Sequence, residues 1–244
     1  MATKSEGYCR FCMKSFPGSS MSRHLASCPA KKERDAQEAA AAKGKSSVYH
    51  LKITGSSWYH DAPYWLHLEV NDAVTLSQLD SFLRNIWLEC CGHLSEFTIH
   101  GIRYSDSPED DFWDAELESE PTDIQLKKVL DVKDRFEYTY DFGSSTDLLG
   151  EVMGKRPGKL AGEKIRILAR NNPPDLKCVS CGKAAEEFCG DCQSFYCEKC
   201  LKKHECGDEM ALPVVNSPRT GVCGFSGEFD TDFFMEERAG NAAR

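Results

Sequence analysis

The 244-residue chain reads as an α+β protein, a mixed sheet with packed helices in the middle and a small cysteine-rich module at each end. Two observations point there. Of the thirteen cysteines, eleven fall in two terminal clusters, and only Cys90 and Cys91 stand between them. In the middle, segments of period two and segments of period 3.6 follow in mixed order. There is no repeated strand-helix-strand unit and no glycine-rich phosphate loop, which favours α+β over a doubly wound sheet.

Residues 1–29 carry Cys9-x2-Cys12-x11-His24-x3-Cys28. That is the spacing of a ββα zinc finger whose last histidine is replaced by cysteine. Cys9 and Cys12 belong on a hairpin knuckle, and His24 and Cys28, one turn apart, belong on one side of a helix. Phe16 and Leu25 are placed to form the small apolar core. A segment this short cannot fold by burial alone, so the metal is expected to supply most of its stability. Residues 30–46 are rich in helix formers but carry no apolar stripe, and so predict a solvated, charged helical linker.

The central region is expected over 47–172. Val48 to Ile53 alternates as a half-buried strand, and a second strand is expected at Tyr64 to Val70. Thr75 is placed to cap a helix whose apolar face is Leu76, Leu79, Phe82, Leu83, Ile86 and Trp87. A strand over Glu96 to Ile102, an acidic loop over Asp106 to Asp114, a short helix over Asp123 to Leu130 and strands at Arg135 to Phe142, Leu148 to Met153 and Lys164 to Ala169 follow. The Asn171-Asn172-Pro173-Pro174 breaker closes the region. Cys90-Cys91 reads as core packing at the end of the helix. The acidic run from Glu109 to Glu116 lacks the spaced oxygen pattern of a calcium loop and reads as solvated.

Residues 173–210 hold Cys178-x2-Cys181-x7-Cys189-x2-Cys192-x4-Cys197-x2-Cys200-x3-His204-x-Cys206. Eight ligands in four close pairs make two tetrahedral sites, and an interleaved arrangement is economical for so short a chain. Cys178, Cys181, Cys197 and Cys200 are assigned to one ion, and Cys189, Cys192, His204 and Cys206 to the other, with Cys223 as the alternative to Cys206. Three Zn2+ ions are therefore expected. Catalytic zinc is disfavoured, because no position is left open and no His-Glu-x-x-His motif is present. The remaining residues, 211–244, are apolar and turn-rich in their first half and are expected to pack on the folded body.

Phe188-Cys189-Gly190-Asp191-Cys192-Gln193-Ser194-Phe195-Tyr196-Cys197-Glu198-Lys199-Cys200 resembles the B-box and related cross-brace fingers. That resemblance implies a protein-binding role. The central region resembles the plasmid pRiA4b ORF-3-like family. The likeness runs through Tyr49-x-Leu51-Lys52-Ile53, Pro63-x-Trp65-Leu66-x-Leu68-Glu69-Val70, Thr75-Leu76-x-x-Leu79, Trp87, His93-Leu94-x-x-Phe97-x-Ile99, Gly101-x-x-Tyr104 and Phe136-x-Tyr138-x-Tyr140-Asp141-Phe142-Gly143. It implies an association with mobile elements and no assigned chemistry.

Net charge is −9, divided as +5 over residues 1–47, −10 over 48–176 and −4 over 177–244. A whole-chain electrostatic footprint for nucleic acid is absent, while the N-terminal arm offers a local one in Lys14, Arg23, Lys31, Lys32 and Arg34. Residues 1–8 lack the apolar run of a signal peptide and no stretch is long enough to span a bilayer, so a cytoplasmic, reducing setting without a membrane partner is expected. Three functions remain open. The first is a non-catalytic zinc adaptor for a protein or ribonucleoprotein partner, and the second a nucleic-acid binder acting through residues 1–47. The third is an enzyme using a pocket of His93, Tyr104 and Asp141, although Asp141 more readily serves as a turn cap.

Overall fold

The computed structural model describes residues 5–42, 45–105 and 119–227. The acidic loop expected at 106–114 lies outside these, as does the end of the tail.

Two short strands, β1 (Glu6–Cys9) and β2 (Ser15–Pro17), form a hairpin, followed by α1 (Gly18–Ser27) and α2 (Pro29–Ala41). The central strands are β3 (Ser47–Gly55), β4 (Tyr64–Asn71), β5 (Ser95–Ile99), β6 (Ile102–Ser105), β7 (Glu120–Pro121), β8 (Arg135–Tyr140), β9 (Thr146–Pro157) and β10 (Ile165–Asn171). They join the N-terminal hairpin in one ten-stranded sheet of order β2-β1-β10-β4-β3-β9-β8-β5-β6-β7. All pairs are antiparallel except β6 with β7, so the sheet is mixed. The expected strand over 96–102 is a hairpin instead. His100 and Gly101 both take positive φ, 53° and 79°, which supplies the left-handed two-residue turn that a twisted hairpin prefers.

Helix α3 (Leu76–Leu83) begins as expected. Thr75 Oγ1 accepts from Gln78 N while the Gln78 side chain accepts from Thr75 N, a reciprocal capping box. Its final turn widens over Arg84–Leu88, where Glu89 N bonds to Arg84 O five residues back. The helix expected over 123–130 shrinks to one turn, α4 (Leu126–Val129). One core gathers Leu76, Leu79, Leu83, Ile86 and Trp87 against Tyr49, Leu51, Ile53, Phe97, Phe136, Tyr138 and Leu148 of the sheet.

Strand β4 explains how the N-terminal end is held. Every residue of it is buried. Tyr64, Leu66, Leu68 and Val70 face the central core, while the alternate positions Trp65, His67, Glu69 and Asn71 point the other way. Trp65 packs with Met21, Leu25, Cys9 and Cys28, and its Nε1 donates to Ser5 Oγ at 3.0 Å. Glu69 accepts from Lys31 of α2 at 2.7 Å and from Arg156 at 2.7 and 2.9 Å. Thus α2 is not a solvated spacer. Having no apolar stripe, it docks through charge: Lys31 and Glu38 are buried, and Glu38 accepts from Arg156 at 2.7 Å and Arg166 at 2.8 Å.

A second sheet of order β12-β11-β13 joins β11 (Glu187–Cys189), β12 (Ser194–Tyr196) and β13 (Ala211–Pro213), with the one-turn helix α5 (Glu198–Leu201) beside it. It meets the central region through aromatic rings, Phe188 on Tyr59 at 4.5 Å and Phe195 on His60 at 5.8 Å.

Candidate metal centres

Three of the Cys-x2-Cys pairs are presented by the same local device. The residue after the second cysteine takes positive φ: Met13 at 56°, Gly182 at 72° and Gln193 at 53°. That reversal turns the chain under the sulfurs, and Met13 N and Gly182 N each donate at 2.9 Å to the carbonyl of the first cysteine. Only glycine accepts this conformation without cost, so the pairs at Met13 and Gln193 hold mildly strained backbone.

In the N-terminal cluster, Cys9 ends β1, Cys12 lies in the knuckle, His24 is on α1 and Cys28 follows it. The four ligand atoms lie within 4.8 Å of one another, with Cys9 Sγ to Cys28 Sγ at 4.0 Å and Cys12 Sγ to His24 Nε2 at 3.3 Å. The Phe16 ring stacks on His24 at 3.7 Å and fixes the imidazole plane. At the other end, two interleaved clusters form: Cys178, Cys181, Cys197 and Cys200, then Cys189, Cys192, His204 and Cys206. Cys181 Sγ is 3.7 Å from Cys197 Sγ, and Cys192 Sγ is 3.2 Å from His204 Nε2. Cys206 therefore lies with Cys189 and its neighbours, while the alternative, Cys223, lies elsewhere.

These separations suit a metal. A tetrahedral ion with metal–sulfur bonds of about 2.3 Å sets sulfurs about 3.8 Å apart and sulfur and nitrogen about 3.5 Å apart, whereas a disulfide needs about 2.05 Å. All cysteines are free. Burial and local hydrogen-bond donors act on these thiols in opposite directions. Burial pushes Cys9 up to about 12. Burial also opposes ionisation of Cys178, but amides of Cys197, Ser180 and Cys181 outweigh it and bring the thiol down to about 6. The Tyr196 hydroxyl, first among several donors, holds Cys192 at about 7.

A further group, Asp35, Glu38 and Glu69, is a set of close carboxylates, but Lys31, Arg156 and Arg166 match their charge directly. It is an ion-pair network.

The N-terminal cations are divided by the fold. Lys14, Arg23, Lys32 and Arg34 are exposed, though Arg34 Nε pairs with Glu38 at 3.2 Å. Lys31 is not available to a phosphate: it is buried and bound to Asp35 and Glu69, both at 2.7 Å.

Among the candidate pocket residues, His93 Nε2 and Asp141 Oδ2 are 3.5 Å apart. Tyr104 stands level with Phe97 and Tyr138, two register positions along the sheet from the Ser95–Tyr140 end where that pair lies. Asp141 takes φ 65° and accepts from Gly143 N and Ser144 N at 2.9 and 3.1 Å, as a turn cap does, and its other oxygen holds Arg219 at 2.6 Å. Burial opposes its charge, but Arg219 and the amides keep its carboxyl below the usual range. A cleft of about 500 Å³ lined by Lys52, His100, Arg135, Glu137 and Glu151 includes none of the three.

Sequence reasoning missed one grouping. Cys90, Cys91 and His93 meet Cys223 of the C-terminal strap, residues 214–225, which follows β13. The available signal was Cys-Cys-x-His beside an odd cysteine.

Fold and clusters together define an α+β protein with Cys/His groups at both ends that could hold metal ions. Residues 47–159 match the family model described as plasmid pRiA4b ORF-3-like protein. A solved structure of a protein of unknown function from Methanosarcina mazei Go1 is similar at 19% identity, covering 52% of this chain and 70% of that one with a TM-score of 0.44. No curated protein matches the chain.

Proposed function

We propose that the protein is a non-catalytic zinc-binding adaptor, in which three zinc ions order modules at 1–29 and 173–210 around a hub at 47–172, and that the modules bind a protein or ribonucleoprotein partner in the cytoplasm. The observation that carries this reading is closure. Each terminal cluster supplies four protein ligand atoms mutually within 4.8 Å, which leaves no coordination position for water or substrate. The C-terminal module also exposes Val179 and Met210, apolar side chains suited to a protein contact. The test is affinity capture from reduced lysate with metal analysis of the bait. Three terminal-site zincs and a partner retained by wild type but released by Cys192→Ser, Val179→Asp or Met210→Asp support it. A metal-free bait, or capture indifferent to all three changes, overturns it.

A second reading, nucleic-acid binding, is favoured by the exposed Lys14, Arg23, Lys32 and Arg34 on one contiguous module. Deleting residues 1–47 would uncover Trp65 and Glu69, so substitutions are the sounder probe. Replacing Lys14, Arg23 and Lys32 by serine should reduce the logarithmic salt slope of binding by about one for each phosphate no longer neutralised. Binding without salt dependence removes this reading.

A further inference from the structure

We infer that Cys90, Cys91, His93 and Cys223 form a fourth metal site, for a thiophilic divalent cation of the zinc class, and that this ion pins the C-terminal strap to the central region. The inference does not depend on the adaptor reading.

The geometry matches that of the terminal clusters. The four ligand atoms lie within 4.8 Å of one another. Cys90 Sγ to Cys91 Sγ is 3.7 Å and Cys91 Sγ to Cys223 Sγ is 3.9 Å, close to the sulfur–sulfur edge of about 3.8 Å that a zinc-sized tetrahedron sets. His93 Nε2 stands 3.0 Å from Cys91 Sγ and 3.2 Å from Cys223 Sγ. Positive φ recurs as well, although Gly92 N donates to Glu89 Oε1 at 2.6 Å and not to a cysteine carbonyl. Gly92, directly after the second cysteine, has φ 76°, as Gly182 does after Cys181, and Cys223 itself is held at 49°. The wide turn at Arg84–Leu88 delivers Cys90 and Cys91 to this point.

The surroundings suit such an ion. Three thiols would lose their protons to solvent on binding, and three thiolates with a neutral imidazole around a divalent ion leave one negative charge. Arg219, fully buried, places Nη2 3.5 Å from Cys90 Sγ and 2.6 Å from Asp141 Oδ2, so a fixed cation stands beside the sulfurs. The ligands are partly exposed, which leaves a path for the metal to enter.

What the ion would hold is clear from the strap. Val214 N donates to Glu186 O of the C-terminal module, Asn216 bonds to Asn171 of β10, and Ser217 Oγ donates to Trp87 O at 2.5 Å. Arg219 then reaches Asp141, Ser144 and Thr146, and Val222 and Phe225 are buried. Cys223 ligates at the end of this path, 132 residues from Cys91. One ion there fastens the strap, and with it the module that the strap crosses.

The test is metal counting on full-length, reduced protein. Wild type should hold four zincs per chain, and Cys223→Ser and His93→Gln should each hold three. Trypsin should cut after Arg219 several-fold faster in both variants, because the buried guanidinium becomes accessible once the strap is released. Cys12→Ser should also lose one zinc, but without faster cleavage at Arg219. His93→Gln keeps all thiols and lies on a partly exposed loop, so it remains informative if Cys223→Ser fails to fold. Wild type holding three zincs with both variants unchanged overturns the fourth site and leaves the terminal sites standing. Loss of an ion without faster cleavage overturns the strap's fastening. Recovery of Cys91 and Cys223 as a disulfide from protein purified without oxidant also overturns the site.

Discussion

His67 is fully buried on β4, with Nδ1 3.0 Å from His50 Nε2. Burial, reinforced by the facing His50, pushes it down to about 2, and burial with the nearby Lys31 takes His50 down to about 4. Both are therefore neutral in the fold at pH 7, and the unfolded chain takes up a proton first, near pH 6.5. Because the folded values are depressed, the stability is present above the unfolded value and is lost as pH falls below it, by up to about 1.4 kcal/mol per pH unit for each imidazole. Denaturant unfolding of wild type and His67→Gln between pH 7 and pH 5 isolates the effect, since both proteins share the metal sites. Wild type should lose about 2 kcal/mol relative to the variant over that range; a constant gap would mean that His67 titrates alike in the folded and the unfolded chain. The sequence predicts a strand at Tyr64 to Val70, but nothing in that segment announces what covers His67 and Glu69. The terminal Cys/His clusters were legible for the opposite reason. Their ligands are neighbours in sequence, and a Cys-x2-Cys knuckle needs no partner to declare its geometry. Cys90-Cys91-x-His93 supplied only three ligands in sequence, and what brings Cys223 to them is the path of the strap.

Strands β3, β4, β8, β9 and β10 fall on or near the expected segments, β3, β8 and β9 with a burial that alternates along much of each strand, and α3 starts at the expected cap. Thr75→Ala should cost about 1 kcal/mol in thermal or denaturant unfolding, the usual value of an N-cap. A loss below a few tenths would mean that the core packing of Leu76 and Leu79 holds the helix start without the cap. The hairpin at His100-Gly101 was missed because its turn carries no Asn-Gly or Asp-Gly signature, and α2 was misread as solvated because it docks by charge alone. That docking predicts a second acid sensitivity. Glu38 loses favour for its charge by burial, but hydrogen bonds from Arg166 and Arg156 outweigh this and hold its carboxyl at about 2. Its depressed value means that the stability it adds is present above the unfolded carboxyl value of about 4.3 and is lost as pH falls toward 2. Glu38→Gln should therefore cost about 3 to 5 kcal/mol at pH 7, the range for breaking a buried pair, and the deficit should shrink below pH 4. A deficit that stays constant into acid would assign it to packing.

At the scale of the whole molecule the N-terminal cluster is part of the main sheet. β1 pairs with β10 through Gly7 with Asn171, Tyr8 with Arg170 and Cys9 with Ala169, and Arg10 N donates to Leu168 O at 2.9 Å. The strand that Cys9 terminates therefore covers the edge of β10, and β10 in turn pairs with β4. If an ion holds this cluster, its loss propagates inward in a defined order. The module cannot stay folded by burial alone, so β1 should detach and leave β10 as an exposed edge with Trp65 uncovered. Amide hydrogen exchange on Cys12→Ser, or on wild type after chelation, should show lost protection in residues 6–9 and at the β10 amides that face β1. Protection in β3, β9 and β8, which are bonded on both sides within the central region, should persist. Detachment also predicts concentration-dependent association of the variant through the freed edge, visible by light scattering. Uniform protection across β1 and β10 in the ligand-deficient protein would show that Trp65, Met21 and Leu25 hold the module without metal, and the role of the N-terminal cluster would then lie in recognition and not in architecture.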